Sequence, residues 1–123
     1  MSETALHTPA EARYFALCDS RPDEKFELYN GEIYAMGNTS FNHDLLKSQF
    51  GRKIGNHFDD NHIRCREIIE GKLHIGKNYF IPDIMVVYKK PKETAFSEPV
   101  VIVEILSDST RAKDFGFKFR EYS

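Results

Sequence analysis

No stretch of this chain approaches the roughly 18 consecutive apolar residues that a membrane-spanning helix needs, so a helical membrane protein is excluded. The N-terminal Met1-Ser2-Glu3-Thr4-Ala5-Leu6 has neither the basic nor the apolar segment of a secretory signal, and a cytoplasmic location is expected. Cysteine is scarce. Cys18 and Cys65 form no C-x-x-C, which argues against a disulfide framework or a zinc ribbon and for reduced thiols. An excess of one sign of charge is absent too: 17 Lys and Arg against 19 Asp and Glu leave a net charge of -2, too little for the whole-molecule field to draw in a polyanion.

What is present suits one domain. With 123 residues, 41% hydrophobic and 13% aromatic, the chain can bury about two-thirds of its unfolded surface. Charge is unevenly spread. Residues 1–36 are acidic, whereas 64–92 carry Arg64, Arg66, Lys72, Lys77, Lys89, Lys90 and Lys92 against Glu67, Glu70 and Asp83. A basic middle fits a surface lying along phosphates and equally fits solvated strands, because neighbours in sequence need not be neighbours in space.

Thr8, Pro9 and Glu11 mark the start of a short helix through Asp19. Asn30-Gly31 between Phe26–Tyr29 and Glu32–Met36 predicts a hairpin with a type I′ turn. Its register sets Leu28 opposite Ile33 and Phe26 opposite Ala35 on a core face, with Glu27, Tyr29, Glu32 and Tyr34 on a polar face. Leu46, Phe50, Ile54 and Phe58 recur every fourth residue, so a long helix runs from a Ser40 or Asn42 cap to about Phe58. Arg64–Ile69, Lys72–Ile75 and Tyr79–Phe80 then read as a meander with turns at Glu70-Gly71 and Gly76-Lys77-Asn78. Ile84–Tyr88 and Val100–Leu106 are the most apolar β-branched runs and should be central strands. A last helix is expected from about Arg111 to the end.

Glu104 stands out because every neighbour in Val100–Leu106 is apolar. A carboxylate in such a strand must be protonated, paired or on a metal, since burying it alone costs several kcal/mol. Asp83 opens the other apolar strand behind Ile81-Pro82, so the two acids are expected to converge at adjacent strand ends. Paired carboxylates without nearby thiols suit a hard ion such as Mg²⁺, which implies phosphoryl chemistry. On the last helix Phe115, Phe119, Ala112 and Tyr122 share one stripe, Lys118 lies on its edge and Lys113 points to solvent. Lys118 is therefore the better candidate to meet the strand ends and stabilise transition-state charge, with Arg111 a weaker rival. His7, His57, His62 and His74 have no metal-ligand spacing.

Several motifs occur in order: Phe26-Glu27-Leu28-x-Asn30-Gly31-Glu32-Ile33-Tyr34, Ser40-x-x-His43, Tyr79-x-x-Pro82-Asp83, Val103-Glu104-x-x-Ser107, and Ser109-Thr110-x-x-x-Asp114-x-x-x-Lys118-x-x-x-Tyr122. From about residue 10 onward the chain resembles the Uma-type restriction endonuclease family of the PD-(D/E)XK superfamily. The resemblance implies an α/β (α+β) fold, a mixed sheet flanked by helices, with an N-terminal helix and β-hairpin. It implies Asp83 and Glu104 as metal ligands, the Ile105 backbone carbonyl completing the site, and Lys118 as catalytic lysine. Glu32 would be a further acidic candidate and His43 a phosphate-binding or ligand-orienting group. Two positions beyond Glu104, where the superfamily usually has lysine, this chain has Leu106; the Uma-type pattern takes its lysine from the following helix.

The expectation is a Mg²⁺- or Mn²⁺-dependent endonuclease that hydrolyses phosphodiesters in DNA. The alternatives are a non-catalytic module of the same fold that binds nucleic acid or self-associates, and a hydrolase of smaller phosphoesters. Tyr122-Ser123 ends the chain without a Gly or Pro exit, so a single domain truncated at its C-terminus is expected, whose open sheet edge favours a homodimer.

Overall fold

A computed structural model describes residues 7–37, 39–88 and 99–105. The helix expected from Arg111, with Lys113 and Lys118, lies outside the described residues, as do Leu106 and Ser107. Two helices and seven strands run in the order α1 (Pro9–Ser20), β1 (Phe26–Tyr29), β2 (Glu32–Ala35), α2 (Phe41–Asp60), β3 (Cys65–Ile69), β4 (Leu73–Ile75), β5 (Asn78–Phe80), β6 (Ile84–Tyr88) and β7 (Val101–Val103). One sheet has the order β2-β1-β5-β4 and the other β3-β6-β7, and every described pairing is antiparallel. The expected α+β class is what the chain adopts. Among the described residues no helix is long and apolar enough to cross a membrane.

Local chemistry explains the helix starts. Thr8 and Glu11 form a reciprocal capping box, Thr8 Oγ1 accepting from Glu11 N–H at 3.1 Å and Glu11 Oε1 accepting from Thr8 N–H at 3.0 Å. Ser40 caps α2 by accepting from His43 N–H at 3.1 Å. Asn30 and Gly31 have φ of 51° and 78°, the positive values that a type I′ turn demands, and the hairpin register is the expected one.

Alternation along β1 and β5 separates two cores. Leu28 and Tyr79 face α1 and pack with Tyr14 and Phe26. Tyr29 and Phe80 face the other way, toward Leu73, Met85 and Val87. The first sheet is thus covered on both sides, and the expected polar face of the hairpin is corrected at Glu27, which is only 4% exposed. Its Oε2 accepts from Ile81 N–H at 2.6 Å, satisfying a buried carboxylate with a buried amide.

Three other expectations change. The meander is split, because β3 pairs with β6 whereas β4 and β5 pair within the first sheet. The Leu46 and Phe50 stripe of α2 stays 43% and 48% exposed, and the helix instead buries His43, Lys47 and Gly51. Gly51 permits this close approach: a Cβ there would lie 2.7 Å from Ile69 Cδ1 on β3. Finally, β6 is central and buried, as expected, but among the described strands β7 is an edge and ends at Val103, before Glu104.

Candidate active site

Pairing in the second sheet brings three acidic residues to one row. Ile84 lies opposite Ile69 of β3 and Val103 of β7, so the next row outward is Glu70, Asp83 and Glu104. Glu70 N–H donates to the Asp83 carbonyl at 3.0 Å, carrying the ladder one residue further. Adjacent strands are about 4.8 Å apart, so side chains sharing such a row are near neighbours.

Asp83 is delivered to this row by Ile81 and Pro82, both buried. It is locked to Glu104 in both directions: Asp83 N–H donates to Glu104 Oε1 at 2.8 Å, and Ile105 N–H donates to Asp83 Oδ2 at 2.7 Å. Glu104 is therefore half-buried just past β7 rather than inside a doubly buried strand, and its carboxylate accepts from the Asp83 amide just before the start of β6. Asp83 and Glu104 thus lie at adjacent strand ends, and the Ile105 amide, not its carbonyl, is the group that meets Asp83.

Polar side chains from α2 lie over this row. His43 and Lys47, 9% and 6% exposed, stand one turn apart on the buried face. His43 Nε2 lies 3.0 Å from the Ile105 carbonyl, to which it donates, and 3.4 Å from Asp83 Oδ1. His43 thus holds Ile105 through its Nε2–H, with Asp83 next to the ring. Its Nδ1 is buried, has no hydrogen-bond partner among the described residues, and lies 3.7 Å from Asp44 Oδ1.

Lys47 Nζ pairs with Glu70 Oε2 and lies 3.5 Å from Asp83 Oδ1. Lys25 Nζ pairs with the other oxygen of Glu70. Burial alone would push the Lys47 ammonium down, but its bond to Glu70 and the charges of Glu70 and Asp83 outweigh this and hold it above the usual 10.5. Burial likewise acts to raise the Glu70 carboxyl, and bonds from Lys25 and Lys47 hold it below the usual 4.5.

A cleft of about 290 Å³ opens here over Lys25, Met36, Lys47, Glu70 and Asp83. A second, of about 540 Å³, runs along α2 past Asp44, Lys47, Ser48, Arg52 and Glu70. Thr39, Lys47 and Glu70 line both. Glu32 is at the turn end of the hairpin, exposed, with Oε2 accepting from Tyr34 Oη–H at 2.9 Å. Ala35, at the opposite end of β2, lines the cleft, and three residue steps along the strand separate the two by roughly 10 Å. Lys118 lies outside the described residues.

Lys25, Lys47 and Glu70 were not singled out from the sequence. A signal existed: His43, Lys47 and Gly51 follow one another at four-residue spacing, a polar stripe ending in glycine. The apolar stripe beside it was the stronger pattern. Glu70 reads as an ordinary turn residue, with φ of 52°, until pairing sets it beside Asp83.

Comparisons with known proteins agree with this architecture. The profile of the Uma2 family, described as "Putative restriction endonuclease", matches residues 12–123. An uncharacterized protein of Synechocystis sp. is 38% identical over 112 residues, 85% of this chain and 57% of its own length. A second from the same organism is 31% identical over 131 residues, 99% of this chain and 71% of its own. The chain thus spans little more than half of the first of these relatives. A crystal structure described as a "putative nuclease belonging to DUF820" from Anabaena variabilis superposes with a TM-score of 0.64 at 20% identity, over 80% of this chain and 62% of that one.

Proposed function

This chain belongs to the Uma2 family, and from that premise we propose that it is a metal-dependent endonuclease domain that hydrolyses phosphodiester bonds in DNA at the Asp83–Glu104 site. The observation that carries the reading is the reciprocal lock between these carboxylates, each held through one oxygen by a backbone amide of the other's strand end, at 2.8 and 2.7 Å. Such a lock fixes Asp83, which lines the smaller cleft, beside Glu104 of the neighbouring strand end.

The donor set fits Mg²⁺ or Mn²⁺. Among the described residues no three His, Cys, Asp or Glu side chains converge as a metal-binding group. Mg²⁺ needs no such cage, since it usually keeps several waters and takes one or two carboxylates plus substrate phosphate. Asp83 and Glu104 would hold the ion, with the Ile105 carbonyl close by. The ion, when bound, supplies Lewis-acid charge that polarises the phosphate and lowers the pKa of a water. His43 holds the Ile105 carbonyl at 3.0 Å and sits 3.4 Å from Asp83 Oδ1. Lys118 remains the lysine that the family resemblance assigns. Glu32, on the far end of β2, is the weakest of the acidic candidates.

The test is nicking of supercoiled plasmid DNA with Mg²⁺ or Mn²⁺, alongside calorimetric titration of Mn²⁺. Asp83→Ala and Glu104→Ala should each abolish nicking and weaken Mn²⁺ binding at least tenfold. Nicking that survives both changes, or wild-type protein that neither binds Mn²⁺ nor nicks, refutes the assignment.

A further inference from the structure

We infer that Lys47 is a substrate-contacting residue of this site, presenting its ammonium to a non-bridging oxygen of the phosphodiester held next to Asp83. The inference rests on the nuclease reading and adds to it a residue from α2 that neither the superfamily position after Glu104 nor the Uma-type position at Lys118 names.

Three observations carry it. The first is position: among the described residues, Lys47 is the lysine whose ammonium lies within 4.0 Å of Asp83, at 3.5 Å from Oδ1. The second is the cost of placing it there. A lysine side chain 8% exposed gives up most of its hydration, and burying an unpaired ammonium costs several kcal/mol. Glu70 offsets this by accepting from Nζ, and Lys25 holds the other Glu70 oxygen, so the ammonium is pinned on a rigid helix instead of wandering as surface lysines do. The third is access. Lys47 lines both clefts and Asp83 lines the smaller one, so a phosphate seated in that cleft against Asp83 lies beside Lys47.

The chemistry needs such a cation. In hydrolysis a water oxygen forms a bond to phosphorus, the bond from phosphorus to one ester oxygen breaks, the water loses a proton to solvent, and the departing oxygen gains one. Negative charge grows on the non-bridging oxygens meanwhile. A preorganised ammonium there stabilises the transition state without reorienting, and it stays protonated throughout. Lysine offers three donors, so exchanging one contact with Asp83 or Asp44 for a phosphate oxygen leaves the Glu70 pair in place.

The test compares wild type, Lys47→Met and Lys47→Arg by plasmid nicking with Mn²⁺, by calorimetric Mn²⁺ titration, and by anisotropy of a fluorescent DNA duplex with Ca²⁺. Circular dichroism and urea unfolding report whether each variant is folded. Lys47→Met should lose about 10²- to 10³-fold in nicking rate, the usual loss on removing one transition-state donor. It should also bind duplex several-fold more weakly while its Mn²⁺ affinity stays within threefold of wild type. Lys47→Arg, which keeps the charge, should recover at least a tenth of wild-type nicking and show the same unimpaired Mn²⁺ affinity even if Lys47→Met unfolds. Nicking by Lys47→Met within threefold of wild type overturns the inference and leaves the nuclease reading standing. Loss of Mn²⁺ affinity in Lys47→Met as complete as in Asp83→Ala also overturns it, because Lys47 would then only position Asp83. Wild-type protein that neither nicks nor binds duplex overturns both.

Discussion

Tyr79→Phe isolates one hydrogen bond between α1 and the first sheet. Tyr79 is 3% exposed, and its hydroxyl donates to Glu11 Oε2 at 2.8 Å. Phenylalanine keeps the ring, so the stacks on Tyr14 (5.1 Å between centroids) and His74 (4.4 Å) survive and no cavity opens. What is lost is a bond to an ionised carboxylate, worth roughly 1.5–3 kcal/mol. Glu11 keeps the Thr8 N–H, so its charge is not orphaned, and a destabilisation of about 2 kcal/mol is expected, within the range for bonds to charged groups. Equilibrium urea unfolding at neutral pH measures it. Because Glu11→Gln weakens the same bond, the double variant should be less destabilised than the two single losses combined. Burial acts to raise the Glu11 carboxyl, but the Thr8 amide and Tyr79 hydroxyl hold it below the usual 4.5. A depressed folded-state pKa gives stability that is present above the unfolded value and lost as pH falls through the folded one. The gap between wild type and Tyr79→Phe should therefore narrow on acidification below about pH 4.5. A loss under about 0.5 kcal/mol, far below the range for such bonds, or strict additivity with Glu11→Gln, would refute this account of the contact.

Two further outcomes follow from packing and charge. Leu73, fully buried between Phe80, Met85 and Val87, should cost about 2–5 kcal/mol on truncation to alanine, read from the same urea transitions. Glu70, whose folded-state carboxyl is held below 4.5 by Lys25 and Lys47, adds stability above that pH that fades as pH falls further, so Glu70→Gln should flatten the acid limb of a stability-against-pH profile. A mutant profile that parallels the wild type would show that these ion pairs do not stabilise the fold.

Much of the outline could be read without coordinates because it depends on short-range chemistry. Thr8, Pro9 and Glu11 start α1, Ser40 starts α2, and Asn30-Gly31 turns the hairpin, each through contacts within a few residues. The nearness of Asp83 to Glu104 followed from two apolar runs that each carry one acid, but the position of Glu104 past the end of β7 rather than inside that strand did not. Nor was the burial of Glu27 legible, because hairpin alternation says which residues share a face but not that a distant segment, here the Ile81 amide, will meet that face.

Residue order alone determined the cap of α1, the type I′ turn and the hairpin register, and it singled out Asp83 and Glu104; of the two caps it allowed for α2, the structure uses Ser40. Tertiary structure decided that α2 would bury His43, Lys47 and Gly51 in place of its apolar stripe. It also decided that Glu70, an ordinary turn residue in the sequence, would stand in the Asp83 row and hold Lys25 and Lys47. The physical reason is range: capping and turn energies act over three or four residues, whereas a buried ammonium 23 positions from its carboxylate is stable only after the sheet and helix have met and excluded water between them.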